Sequence, residues 1–250
     1  MSGHSKWHSI RHKKARVDAA RGKIFTRLIK ELTVSARIGG GDESMNPRLR
    51  TAIQAAKAAN MPAKNIDNAI KKGTGELPGV VYEEVTYEGY GPGGVAMFIS
   101  AMTDNKNRTV AEIRHLLSKY GGNLGESGSV AWMFEVKGLI KVAREKYDEE
   151  ELFMIVIDAG ADDMKTENPD SYEIYTDPDQ LNNVQSKLEE NNVVTESAER
   201  TMIPKNTVKL DIKTAEQMLK LMDILDDHDD VQDIFANFDI DDEVIDKIAG

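Results

Sequence analysis

The sequence predicts an α+β protein: a basic N-terminal helical bundle followed by two ferredoxin-like α/β sandwich domains, the third domain inserted into the second. Three observations carry this. Residues 13–37 repeat apolar and cationic positions with helical spacing. Residues 1–80 hold sixteen Lys or Arg and six acids, net +10, whereas residues 81–250 hold sixteen and thirty-seven, net −21. From residue 139 onward the pattern reads strand, helix, strand, strand, helix, strand, the ferredoxin-like order.

At 250 residues, with 40% hydrophobic and 30% charged, the chain is long enough for two or three domains with real cores. The charge break near the turn-rich connector Gly73-Thr74-Gly75-Glu76-Leu77-Pro78-Gly79 bounds a basic domain at residues 1–78. A discontinuous middle domain is expected at 79–136 plus 206–250, with an inserted domain at 137–205.

The long helix is the organising stretch. Advancing 100° per residue, Arg16, Lys23, Arg27, Lys30 and Arg37 fall in one arc, opposite Ile24, Phe25, Leu28, Ile29, Leu32 and Ala36. Residues 1–38 carry ten Lys or Arg against two acids, in a chain of net charge −11. A surface helix kept wet for solubility usually mixes signs, so a nearly all-positive stripe points to a polyanion as partner. Ahead of it, Lys6, Trp7, His8, Arg11, Lys13 and Lys14 form a small, polar, cationic tail. There, His and Lys suit phosphate or base contact, and Trp7 either stacks on a base or stakes the tail to the bundle. His4, His8 and His12 recur every four residues, but no acid or cysteine completes a metal site among them.

The helix is expected to stop at Gly39-Gly40-Gly41. Two shorter helices follow, opened by Asn46-Pro47 and by Met61-Pro62, the second ended by Gly73. Arg48, Arg50, Lys57, Lys64, Lys71 and Lys72 add cations around this alanine-rich bundle.

In the acidic body, strands are expected at 82–88 and 94–102, a helix at 108–120 and a strand at 130–136. The βαββαβ unit follows with strands at 139–144, 162–167, 171–176 and 195–203 and helices at 148–159 and 178–191. A strand at 206–212, a helix at 214–227, a strand at 231–239 and a short helix complete the chain. The last strand-helix-strand pairs with that of residues 94–136 to make the second ferredoxin-like sheet. Alternation places Trp132 and Phe134 with Val130 and Val136 on a buried sheet face.

Enzyme signatures are absent. The glycine-rich loop 121–128 lacks the Lys-Ser/Thr of a P-loop and leads into a strand, so a mobile surface loop is the better reading. Asp223, Asp226, Asp227, Asp229, Asp230 and Asp233 lack EF-hand spacing and read as solvated acid. His115 and His228 have no nucleophile motif beside them. Zero cysteines exclude disulfides and thiol catalysis and suit a reducing cytoplasm. No stretch nears the roughly 20 apolar residues of a membrane span, and the basic start reads as mature protein. No cofactor or metal is expected.

The words Gly3-His4-Ser5-Lys6-Trp7, Arg21-Gly22-Lys23 with Phe25, Asn46-Pro47-Arg48-Leu49-Arg50 and Asn60-Met61-Pro62 stand in order along the chain. So do Tyr87-Glu88-Gly89-Tyr90-Gly91-Pro92-Gly93-Gly94, Thr103-Asp104-Asn105 with Asn107-Arg108-Thr109, and Gly121-Gly122-Asn123-Leu124-Gly125. Together they resemble the YebC/PmpR family over the whole chain. The resemblance implies a three-domain cytoplasmic protein without catalytic activity. Members are commonly labelled transcriptional regulators, some binding promoter DNA. Others, with mitochondrial relatives that activate translation of cytochrome oxidase, act on the ribosome and relieve stalling at proline runs. It carries nucleic-acid contact to Lys6, Trp7, His8, Lys13, Lys14, Arg16, Lys23 and Arg27, and supplies no catalytic residues.

Two readings follow. In one, a DNA-binding transcriptional regulator lays its basic bundle on duplex while the acidic domains pair protomers or recruit transcription machinery. In the other, a translation factor grips ribosomal RNA through the same module while the acidic domains meet basic ribosomal proteins. The long helix offers phosphate partners but no set of Asn or Gln for base edges. The sequence leaves the oligomeric state open.

Overall fold

The computed structural model describes Trp7, residues 17–241 and residues 243, 244 and 248. Its first helix, α1, is Val17–Gly39, and its end matches the glycine stop: Gly40 takes φ +84° and its N–H bonds to the Ala36 carbonyl. Asn46 then ties two helix ends together. Its Oδ1 accepts from the Leu49 N–H at 3.1 Å, capping α2 (Pro47–Ala58), while its Nδ2 donates to the carbonyls of Ser35 and Gly40. α2 closes in a Schellman turn: Asn60 sits at φ +58°, the Asn60 N–H bonds to Lys57 O and the Met61 N–H to Ala56 O.

α3 (Ala63–Thr74) begins one residue after Pro62, which occupies the cap position with no side-chain bond. Gly73, expected to end α3, lies inside it. A Cβ there would strike the Thr33 carbonyl and the Ala36 methyl, so the missing side chain lets α1 and α3 approach closely. Leu32, Ala36, Leu49, Ile53, Met61 and Ile66 fill the core of this bundle.

The middle domain is a four-stranded antiparallel sheet built from β1 (Glu83–Tyr90), β2 (Ala96–Thr103), β3 (Asn123–Leu124) and β9 (Val231–Ala236), in the order β3-β1-β2-β9. Helices α4 (Lys106–Lys119) and α7 (Ile212–Asp226) supply Ile113, Leu117, Met218 and Met222 to its core against Met97 and Ile99. The order is ferredoxin-like, with β1 beside β2 in the place expected for residues 206–212 and β3 at the edge expected for residues 130–136. Of the strand expected at 206–212, only β8 (Val208–Lys209) forms, parallel to β10 (Phe238–Asp239).

The third domain takes β4 (Phe134–Ala143), α5 (Glu149–Ala159), β5 (Asp163–Lys165), β6 (Ser171–Thr176), α6 (Leu181–Glu190) and β7 (Thr195–Pro204), with sheet order β5-β6-β4-β7. That is the expected βαββαβ unit. Where two strands are expected at 130–136 and 139–144, residues 134–143 form one, because Gly138 continues the ladder between Thr176 and Arg200. A small shared cluster of Ala96, Val130 and Phe134, with Phe98, Met202 and Phe235 packed on it, joins the two sheets.

Trp132 corrects the alternation argument. It lies in the 3-10 turn Ala131–Met133, ahead of the strand, and is 62% exposed, because period-two reasoning fails where the backbone is helical.

Candidate nucleic-acid interface

The cationic stripe of α1 is where the sequence places nucleic-acid contact, and the fold turns it inward. The turn after α7 brings a row of acids along α1, so Lys23, Arg27 and Lys30 meet the protein's own carboxylates. Lys23 Nζ lies 2.7 Å from Asp226 Oδ2 and 3.0 Å from Asp227 Oδ1. Arg27 donates to Asp226 Oδ1 at 2.7 Å and to the carbonyls of Asp226 and Val231. Lys30 Nζ, the deepest, donates to Asp230 Oδ1 at 2.7 Å and to the carbonyls of Met102 and Asp229 at 3.1 and 2.9 Å.

The acids expected to be solvated are therefore divided. Asp226 and Asp230 are buried, while Asp223, Asp227, Asp229 and Asp233 keep an exposed position. Asp230 also accepts from Arg108 and from the Thr109 hydroxyl, both at 2.8 Å. Burial pushes its carboxyl up, and the bonds from Lys30, Arg108 and Thr109 pull it much further down, to well below the usual carboxylate range.

Trp7 is buried at 2% exposure in the middle domain's core, and its Nε1–H donates to Asp223 Oδ1 at 2.9 Å. Trp7 thus packs into the core of the acidic body. Burial of the ring with its one polar atom bonded is the usual state of a tryptophan. The remaining expected contacts, Lys6, His8, Arg11, Lys13, Lys14 and Arg16, lie outside the described residues, as do His4 and His12.

Beside the ion pairs a cleft of about 870 Å³ opens between α1, α4 and the turn after α7, lined by Lys30, Tyr82, Arg108, His115 and His228. In it the His228 Nδ1 accepts from the Asp230 N–H at 3.1 Å, so the ring proton sits on Nε2, 2.9 Å from Glu112 Oε2. That fixes the ring's tautomer and uses both nitrogens. No Ser, Thr or Cys hydroxyl or thiol is hydrogen-bonded to either histidine among the described residues.

The glycine-rich loop is pinned, not mobile. The Glu88 carboxylate accepts from the N–H groups of Gly128, Val130 and Ala131 at 2.7–2.8 Å, and the Glu88 carbonyl takes the Gly125 N–H. These backbone donors would suit a phosphate, but a buried side chain of the same domain already occupies them. Burial raises the Glu88 carboxyl and the three N–H bonds lower it, with a net shift downward.

Two family models account for the chain. The TACO1/YebC N-terminal domain matches residues 5–76, and the TACO1/YebC second and third domain matches residues 82–238. The chain belongs to the TACO1/YebC family. It is 58% identical over 248 residues, 99% of this chain and 100% of the relative, to a probable transcriptional regulatory protein of Geobacter sulfurreducens. A probable transcriptional regulatory protein of a Sulfurihydrogenibium species is 55% identical over the full length of both chains. The crystal structure of a conserved hypothetical protein from Aquifex aeolicus superposes with a TM-score of 0.84 at 49% identity, covering 92% of this chain and 95% of that one. The TACO1/YebC fold of a helical module followed by two sheet domains is thus the fold found here. Among the described residues no helix is long and apolar enough to cross a membrane.

The inward turn of the stripe had one legible signal. Asp226 and Asp230 stand four residues apart, as Lys23 and Arg27 do, so acids and cations at one-turn spacing were present in one chain.

Proposed function

We propose that this chain is a non-enzymatic, cytoplasmic regulator of gene expression that binds nucleic acid through its N-terminal helical module. The observation that carries the reading is the segregation of charge: a bundle within a segment of net +10 folds with its own core beside a body of net −21. Such a bundle gains from each phosphate it neutralises, and the acidic body keeps it from coating polyanions indiscriminately. The names of the relatives support a transcriptional role; duplex DNA is the ligand this reading assigns.

Lys6, His8, Arg11, Lys13, Lys14 and Arg16 supply contacts from the tail. Lys23, Arg27 and Lys30 join them only where phosphate oxygens take the places held by Asp226 and Asp230. Trp7 anchors. The acidic domains meet a basic partner, transcription machinery or ribosomal protein.

The second reading, a translation factor on ribosomal RNA, uses the same chemistry, and one experiment separates the two. Crosslinking in growing cells, with sequencing of bound DNA and bound RNA, is expected to give promoter peaks that vanish when Lys13, Lys14 and Arg16 are changed to Gln. Crosslinks concentrated on ribosomal RNA would make the protein a translation factor. Absence of both would sink the nucleic-acid reading.

A further inference from the structure

The cations of the basic module sort into two groups. Residues 22–78 contain ten Lys or Arg. Lys23, Arg27 and Lys30 are held by the body; Arg48 bridges Glu31 and Glu84; Lys71 pairs with Asp67; and the Arg50 guanidinium donates to the carbonyls of Glu43 and Ser44. Arg37, Lys57, Lys64 and Lys72 make no ion pair with a described residue, and all four are exposed.

We infer that the α2–α3 hairpin, through Lys57, Lys64 and Lys72, is the surface by which the folded module grips the phosphate backbone of a nucleic acid. The inference rests on the nucleic-acid reading above and moves the contact off Lys23, Arg27 and Lys30, whose charges are already paired with Asp226, Asp227 and Asp230.

Lys57 stands in the last turn of α2 and Lys64 in the first turn of α3, so the turn between them carries both to one end of the hairpin. That turn is fixed by Asn60 in the left-handed region and by burial of Met61 at 5% exposure. The two ammonium groups are therefore borne on a preorganised scaffold, and little ordering entropy is lost on binding. Lys72 lies on α3 80° from Lys64 around the helix axis and two turns along. Lys64 is placed against the helix dipole, in a first turn with no acid and no side-chain cap. A cation there is unfavourable until an anion arrives. Around these lysines, Gln54, Asn60 and Asn65 are exposed, and each can donate to and accept from a base edge. Those are the residue types that the α1 stripe lacks.

The partner is fixed by charge complementarity and by this mixture of ammonium and amide groups: a phosphodiester chain with accessible bases. A fully exposed lysine set that served solubility alone would leave affinity unchanged on removal, which the test exposes.

The test uses the full chain and fluorescently labelled duplex DNA and hairpin RNA, with affinity read by anisotropy over a salt series. The variant K57Q/K64Q/K72Q removes three surface charges without touching a core contact. A control, K146Q/K213Q/K220Q, removes three exposed lysines from the acidic body. Thermal melts confirm that both fold. The hairpin variant is expected to lose at least about tenfold in affinity at low salt, with the slope of log K against log salt shallower by about 2.7 for duplex. The control is expected to bind as wild type does or more weakly by less than twofold. Unchanged affinity and slope in the hairpin variant overturn the inference while leaving the broader reading intact, and loss confined to a tail variant (K13Q/K14Q/R16Q) does the same. If wild-type protein binds neither probe, the nucleic-acid reading fails and this inference fails with it.

Discussion

Lys30 and Asp230 meet at 2.7 Å with both side chains 6% exposed, one from the basic module and one from the acidic body. This pair is the buried end of a row of contacts that docks the two. A buried ion pair is a poor source of net stability compared with apolar packing, yet removing one partner leaves the other charged and dry. Asp230→Ala should therefore destabilise the docked protein by about 3–5 kcal/mol. Urea titration read by Trp7 emission measures it, and Lys23→Ala, nearer solvent, should cost clearly less.

Acid should act through the same residue. The Asp230 carboxyl is depressed in the folded protein, so it favours folding at pH values above the ordinary unfolded carboxylate pKa of about 3.9 and loses that contribution as pH falls toward its folded value. The docked state is thus expected to persist through mild acid and weaken only under strongly acidic conditions. Denaturation midpoints measured down a pH series should fall more steeply for wild type than for Asp230→Asn. Equal slopes would remove Asp230 from the account.

Glu88 holds the loop 125–131 by three backbone N–H bonds, so Glu88→Gln, which turns an amide NH₂ toward donors, should cost about 1–3 kcal/mol. The loss should be local. Amide exchange at Gly128, Val130 and Ala131 is expected to quicken while the α1–α3 bundle keeps its protection.

Two glycines should respond with opposite signs. Gly73→Ala drives a methyl into the Thr33 carbonyl and the Ala36 side chain and should destabilise by about 1–3 kcal/mol. Gly22→Ala meets no atom within 4 Å inside α1 and should stabilise by about 0.8–1 kcal/mol. Thermal melts of the two variants give the comparison directly.

The two tryptophans should separate in a quenching experiment. Trp7 is buried and Trp132 exposed, its Nε1–H held by the Ser129 carbonyl at 3.1 Å. Trp132→Phe should leave a blue-shifted emission that acrylamide barely quenches, and Trp7→Phe a red-shifted one that it quenches readily. The reverse assignment would contradict the anchoring of the tail.

Local chemistry was legible in advance. The glycine stop after α1, the Asn46-Pro47 start of α2 and the βαββαβ order of the third domain each depend on residues within a few positions of one another. Periodicity likewise showed that α1 has two faces. It could not show that both would be covered, because what faces Lys30 is Asp230, 200 residues away. Nor could it separate a strand from the helical turn Ala131–Met133, which turns Trp132 to solvent although Phe134, two residues on, is buried. Nor did it show that residues 134–143 form one strand, in which Gly138 pairs with Thr176 on one side and Arg200 on the other.

Trp7 gives the basic bundle a second attachment. The bundle is joined to the body covalently by the connector after Thr74, and the segment that precedes it carries a tryptophan plugged into the body. The plug adds to the ion pairs of Lys23, Arg27 and Lys30, and each contact holds the others at high effective concentration. A single protease cut in the connector should leave both fragments travelling together on a sizing column until the plug is drawn.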